Sequence, residues 1–378
     1  MSYTPHYDII GNTRLITYRP EELEELAEKL VVPEHVQQAI IDCYDSEPYY
    51  PPVAIFKFFL LFTISTFRHL TAFYRWAKTK VRFLEALGFD VRFNFLLPSY
   101  KTIWHFKHFR IGESRIHWLF RETLKAVLPV LNDMGLDAGS CAIIDAVPIE
   151  STTSDECASY NGHYKMTCYL WHRLICANTS IPLDFDVTTG SINEGHIGPA
   201  IMLRAIACNG APIKELLFDI KYAFTDALAT YWIMGVDCRY RIAKNWRISE
   251  RSSWQYLLNK YHRSWKHIAG YQPGASHKRI LYLLAVNGFL RLVGSHLRRL
   301  AMLEYCEASD TYLEQVSLRS RIECSNGYAK RIGCLPFREF RGLKSVTVHI
   351  GFYETARLII AYSCAMQLRH TQCQKPSV

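Results

Sequence analysis

Cys141-Ala-Ile-Ile-Asp145 and Glu215-Leu-Leu-Phe-Asp219 are two short apolar runs, each ending in an aspartate. Runs this short and unbroken suit strands buried on both faces, as in the centre of a parallel sheet. Between them, Tyr164 to Ala177 and Ile181 to Val187 read as two more strands joined by the turn Asn178-Thr-Ser180, and Pro199 to Cys208 reads as a helix. A further helix, 223–234, follows Asp219. The order β-β-β-α-β-α predicts an α/β fold with a mixed sheet. If the two aspartate-ending strands are parallel neighbours, both carboxylates stand at one sheet edge, where sites in α/β folds usually form.

Upstream of this block the pattern is helical. Residues 21–46 read as one or two short acidic helices, Pro51-Pro52 breaks the chain, and 54–86 interleaves rings with bases: Phe67, Arg68, Phe73, Arg75, Trp76, Lys78, Lys80. Ser99 is a fitting N-cap for a helix carrying Lys101, Trp104, Lys107 and Arg110, and another helix covers 113–130. These helices suit a duplex-binding surface, or a bundle whose rings are simply its core.

Downstream, 240–310 interrupts the sheet pattern. Lys244, Trp246, Arg247, Arg251, Trp254 and Trp265 alternate cations with large rings, and a long helix spans roughly 278–306. Such a run can clamp phosphates and stack bases; the tryptophans also suit a small core of their own. In Leu318-Arg-Ser-Arg-Ile-Glu-Cys-Ser-Asn-Gly-Tyr-Ala-Lys330, Arg319, Glu323 and Lys330 return to one side of a helix, beside an apolar stripe of Leu318, Ile322 and Ala329. A carboxylate flanked by two cations suits a metal ion and a phosphodiester together. The spacing also fits a solvated helix laced with charge pairs. A last apolar helix spans about Tyr353 to Leu368.

Asp145, Asp219 and Glu323 are therefore the candidate ligands for Mg²⁺ or Mn²⁺, which take hard oxygen donors. Two such ions activate water and stabilise a leaving oxygen in phosphodiester displacement. Asp184 and Asp186 are rivals that share one side of a strand marked as an edge by Pro182, and Asp226 suits a helix first turn. Walker, dinucleotide and nucleophile-elbow motifs are missing.

Composition narrows the class further. Of the 378 residues about half are apolar, and the net charge is +9. Residues 1–50 hold ten acids and three bases, 51–130 four and thirteen, and 241–300 one and twelve. Two basic blocks fit a polyanion gripped at two places. Twelve scattered cysteines without a Cys-x-x-Cys pair suit a reducing cytoplasm. The stretch Met1 to Pro20 lacks a signal-type apolar region, and Val53 to Thr66 is too short to span a bilayer and holds Lys57.

With these residues in view, the chain over roughly 45–370 resembles the DDE-class insertion-sequence transposases, enzymes with an RNase H-like core. Tyr50-Pro-Pro-Val-Ala-Ile-Phe56 and Pro98-Ser-Tyr-Lys-Thr-Ile103 look like the family's helical N-terminal part, and Arg341-Gly-Leu-Lys-Ser-Val346 like its C-terminal segment. The first aspartate corresponds to Asp145, the second to Asp219, and the motif Tyr-x2-Arg-x3-Glu-x6-Lys is matched at Arg319, Glu323 and Lys330. Lys221 stands where the family has glycine and Val316 where it has tyrosine.

The resemblance implies a helical N-terminal DNA-binding region (1–130), a catalytic core (138–235 and 311–370), a largely helical insertion (236–310) and a disordered tail (371–378). It implies metal-dependent cleavage and strand transfer at terminal inverted repeats, with two Mg²⁺ or Mn²⁺ ions on Asp145, Asp219 and Glu323. Arg319, Lys330, Lys244, Arg247 and Arg251 would hold DNA phosphate. The expected partners are element-end and target double-stranded DNA and a second copy of the chain as a homodimer, with no membrane, in the nucleoid-associated cytoplasm. Alternatives are a nuclease of the same fold without strand transfer, and an inactive transposase-derived DNA-binding protein.

Overall fold

The structure is a computed structural model that describes residues 18–90, 97–240, 314, 316–331 and 341–373. The readings made for 241–310, including Lys244, Arg247, Arg251 and the three tryptophans, lie outside the described residues.

The acidic helices are α1 (Pro20–Lys29) and α2 (Glu34–Ile41). Helix α3 (Pro52–Ile64) opens on a proline at its first turn, where the missing N–H costs nothing. Nearly every residue of α3 is buried, Phe56, Phe58, Leu60 and Leu61 completely, so it is a central helix rather than an amphipathic one. Each such side chain contributes about 1.5–3 kcal/mol by leaving water. Helices α4 (Leu70–Lys78) and α5 (Val81–Leu87) follow.

Ser99 caps α6 (Tyr100–His105), its hydroxyl accepting the Thr102 N–H at 3.2 Å. A π-helical turn (Phe106–Ile111) then leads into α7 (Gly112–Asp133). In the ring-and-base stretch the rings turn inward and the bases outward. Phe73 is buried, with Trp76 and Phe83 packed around it, while Arg68, Arg75 and Lys78 face solvent. Trp104 and Phe109 remain exposed.

The sheet comprises β1 (Cys141–Glu150), β2 (Ser159–Asn161), β3 (Met166–Cys176), β4 (Pro182–Thr189), β5 (Glu215–Phe218) and β6 (Asp237–Tyr240). β1 pairs antiparallel with β3 and parallel with β5; β5 pairs parallel with β6. β3 also carries β4 and the short β2, both antiparallel. Helices α8 (Glu194–Ala207) and α9 (Thr225–Ile233) flank β5 in sequence, and a 3₁₀ turn (Ile220–Tyr222) links β5 to α9. Helix α10 (Ser320–Arg331) packs on β1, and α11 (Leu343–Cys373) packs on α3, α7 and β4.

Several elements exceed their expected bounds. β1 continues past Asp145, where the apolar run was read as ending, and takes in Pro148. Its pairing with β5 ends at Ile144, so among the described residues that side of β1 has no strand partner from Asp145 onward, a setting in which a strand tolerates proline. Helix α11 runs through Cys373, past the residue where a disordered tail was expected to begin, and Thr371 bonds back to the Gln367 carbonyl at 3.0 Å. β2 and β6 were not expected.

One buried apolar cluster extends from Leu23 to Ala365, so the N-terminal helices and the sheet share a core. A second, small cluster joins Cys141, Ile143, Ile175, Leu217 and Ile322, which docks α10 on one face of the sheet. No helix among the described residues is long and apolar enough to cross a membrane.

Candidate active site

The β1–β5 ladder closes with Ile144 opposite Phe218, so Asp145 and Asp219 are the next residue on each of two adjacent parallel strands. Asp145 follows Cys141 and Ile143 on alternate positions, which places it on the face that α10 covers. Its Oδ2 accepts from Asn326 Nδ2 at 2.9 Å. Burial pushes the Asp145 carboxyl up to about 6; the Ala146 N–H and the Arg319 guanidinium pull the other way, and the Glu194 and Asp219 carboxylates add to the rise. Asp219 caps the 3₁₀ turn, its Oδ1 accepting the Ile220 N–H at 2.7 Å.

A third acid, Glu194, belongs to this neighbourhood and was not singled out from the sequence. It opens α8 behind the Asn193 cap and is only 8% exposed. Its helix comes close because Gly195 and Gly198 have no side chain. A Cβ on Gly195 would lie 2.0 Å from the Phe224 ring, and one on Gly198 2.2 Å from the Tyr231 hydroxyl. Burial raises the Glu194 carboxyl above the usual range, Asp219 adds to this, and Lys221 opposes it. Lys221 Nζ stands 3.6 Å from Glu194 Oε1 and 5.3 Å from the centre of the Tyr164 ring. The lysine that replaces the family's glycine is thus a cation held beside the carboxylates.

Glu323 lies in the first turn of α10 with its side chain about half exposed, and the Arg319 guanidinium bonds it. Ile322 and Ala329 are buried, as the apolar stripe predicts, and Leu318 packs against the small cluster. Arg321 donates to the Ala177 carbonyl, which ties α10 to the β3–β4 turn. Val316, in place of the motif's tyrosine, is buried and accepts the Arg319 N–H at its carbonyl. Lys330, in the last turn, is exposed. The rival acids do other work: Asp184 and Asp186 both hold Arg204, and Asp226 sits in the first turn of α9.

Among the described residues no group of three His, Cys, Asp or Glu side chains is close enough to hold a metal ion. The donors nonetheless suit a hard cation. Burial raises the Asp145 and Glu194 carboxyls, and the like charge of the neighbouring acids adds to the rise. A divalent cation would relieve that like-charge contact.

A family model described as a transposase DDE domain matches residues 137–357. The chain belongs to the DDE transposase domain family. The match begins just before β1, ends within α11, and takes in Asp145, Asp219, Arg319, Glu323 and Lys330. Comparison with curated proteins and with solved structures gives no match.

Proposed function

We propose that this DDE-family chain is a transposase that cuts DNA at the terminal inverted repeats of an insertion sequence and joins the freed ends to target DNA. The observation that carries the reading is the pairing of Asp145 and Asp219 at adjacent parallel strand ends, with the Glu323 helix docked on the same face. The strand order, antiparallel from β4 through β3 to β1 and parallel from β1 through β5 to β6, supports an RNase H-like core.

Asp145, Asp219 and Glu323 would hold two Mg²⁺ or Mn²⁺ ions, which supply an activated water or hydroxyl and stabilise the leaving oxygen. The chain's own side chains do the positioning. Arg319 presents a planar fork suited to a phosphodiester, and Lys330 adds a second cation on α10. A phosphate arriving at Arg319 competes with Glu323 for the guanidinium and frees that carboxylate to face the aspartates. Lys244, Arg247 and Arg251 would grip the DNA backbone, and two copies of the chain would bring the element's two ends together.

The test is a strand-transfer assay with the element's own ends and Mg²⁺. Cleavage followed by joining supports the reading. Cleavage without joining assigns a nuclease of the same fold. End binding without cleavage assigns an inactive DNA-binding descendant, a reading favoured by Lys221 in place of glycine and Val316 in place of tyrosine.

A further inference from the structure

We propose that Asn326 is a positioning residue, which orients the Asp145 carboxylate and sets the register of the Glu323 helix, braced from behind by the buried Arg173–Glu354 pair. The proposal rests on the reading of Asp145 and Glu323 given above.

Asn326 is 6% exposed and uses both ends of its amide. Nδ2 donates to Asp145 Oδ2 at 2.9 Å, and Oδ1 accepts from Arg173 Nη1 at 2.8 Å. A carboxylate only accepts and a guanidinium only donates, so this site needs one donor and one acceptor on a short side chain. Arg173 is the residue directly across from Asp145 in the β1–β3 register, so both side chains leave the same face of the sheet. Its guanidinium is fully buried, lies 4.3 Å from the centre of the Trp171 ring, and donates from Nε to Glu354 Oε1 at 2.7 Å. Glu354 also accepts from Arg357, which donates in turn to the Ser180 carbonyl.

The result is a continuous polar chain from Asp145 through Asn326, Arg173 and Glu354 to Arg357. It ties α10 and α11 to β1, β3 and the β3–β4 turn. Asn326 lies three residues after Glu323, on the neighbouring position of the same side of the helix. Fixing Asn326 against Asp145 therefore fixes where Glu323 stands relative to it. An apolar side chain could fill the volume but would leave Arg173 and Asp145 each without this bond.

Two substitutions separate the two bonds. Asn326→Asp keeps the acceptor for Arg173 and loses the donor to Asp145; Asn326→Leu loses both. Groups that orient a ligating side chain carry roughly 10–100-fold in metal affinity or activity. We expect Asn326→Asp to melt within a few degrees of the wild type and bind element-end DNA normally, yet cleave at least about tenfold more slowly. We expect Asn326→Leu, measured without DNA by calorimetric Mn²⁺ titration, to bind Mn²⁺ about tenfold or more weakly.

If Asn326→Asp folds and cleaves within twofold of the wild type while Asp145→Asn is inactive, the proposal is overturned and the reading of the site stands. Unchanged Mn²⁺ affinity in a folded Asn326→Leu protein counts against it in the same way. If Asp145→Asn cleaves normally, the reading of the site fails and the proposal falls with it.

Discussion

Two charged clusters meet at Asn326, and they are built on opposite terms. Behind it, Arg173 and Glu354 are both fully buried and hydrogen-bonded to each other, and Arg357 bonds the same carboxylate. In front of it, Asp145, Asp219 and Glu194 gather negative charge beside Lys221 and Arg319, and burial first, with like charge adding to it, raises the Asp145 and Glu194 carboxyls. The first arrangement spends its polar groups on one another and holds the fold together. The second keeps unfavourable like-charge contact, which a fold has no reason to retain unless something positive binds there. Proximity to the core does not separate the two clusters; the completeness of the pairing does.

The sharpest way to break this contrast is to neutralise the front cluster. Asp145→Asn and Asp219→Asn should lower strand cleavage by about 10⁴-fold, about 5.5 kcal/mol of lost transition-state stabilisation. End-DNA binding should persist, and Asp145→Asn should melt no lower than the wild type, because it removes a repelling charge. A variant that keeps full cleavage would move its residue out of the site, and one that unfolds would move it into the structural cluster.

The rear cluster should respond the other way. Glu354→Leu alone should destabilise the protein by about 3–5 kcal/mol in urea unfolding, since it strands the fully buried Arg173 guanidinium and takes the same carboxylate from Arg357. Arg173→Met combined with Glu354→Leu should recover part of that loss, because Arg173 no longer stands uncompensated while Arg357 keeps its bond to the Ser180 carbonyl. A double variant as unstable as the single one would show that the pair is not the unit holding α11 to β3.

How much of this could be read in advance depends on the range of the interaction. β1 and β5 were legible because three or four apolar residues followed by an acid is a local pattern with a local cause. The docking of α10 was legible in the same way, since Ile322 and Ala329 return on one side of the helix. The bond between Asn326 and Asp145 spans 181 residues, and nothing near Asn326 marks it as more than a polar helix position. Glu194 is hidden for a related reason. An acid after an asparagine cap is ordinary at a helix start, and only the close approach through Gly195 and Gly198 brings it beside Asp219. β6 escaped notice because Asp237-Cys-Arg-Tyr240 is short, half charged and held by β5 alone among the described strands.

His172 extends the comparison to a buried group that is kept neutral. It is fully buried on β3, its Nε2 is 2.8 Å from the Thr188 hydroxyl, and burial pushes its pKa down to about 4. A histidine whose folded pKa lies below its unfolded value near 6.5 contributes stability that is present above about 6.5 and lost as pH falls toward 4. Asp145 and Asp184 act in the opposite direction, because burial raises their carboxyls, so the wild-type profile alone does not isolate the histidine. The difference between wild type and His172→Gln does. Between pH 7 and 4.5 the wild type should lose about 2–3 kcal/mol more than the variant, at about 1.4 kcal/mol per pKa unit. Parallel profiles would mean that His172 is charged, or equally neutral, in both states.

Lys221 gives the smallest and most discriminating effect, because it stands on the border between the two kinds of cluster. Its bond to Glu194 has the look of a structural ion pair, yet a third of its side chain is exposed and its partner is part of the acidic group. A pair this open contributes at most about 1 kcal/mol to stability. Lys221→Gln should therefore shift the unfolding midpoint only slightly. Its effect on cation demand should be clearer. With the ammonium gone, the carboxylates present more uncompensated charge, and the Mg²⁺ concentration for half-maximal cleavage should fall by about two- to fivefold, the equivalent of about 0.5–1 kcal/mol. A rise in that concentration instead would mean that Lys221 acts by holding Glu194 in place, and would assign the Glu194–Lys221 pair to the structural side of the molecule.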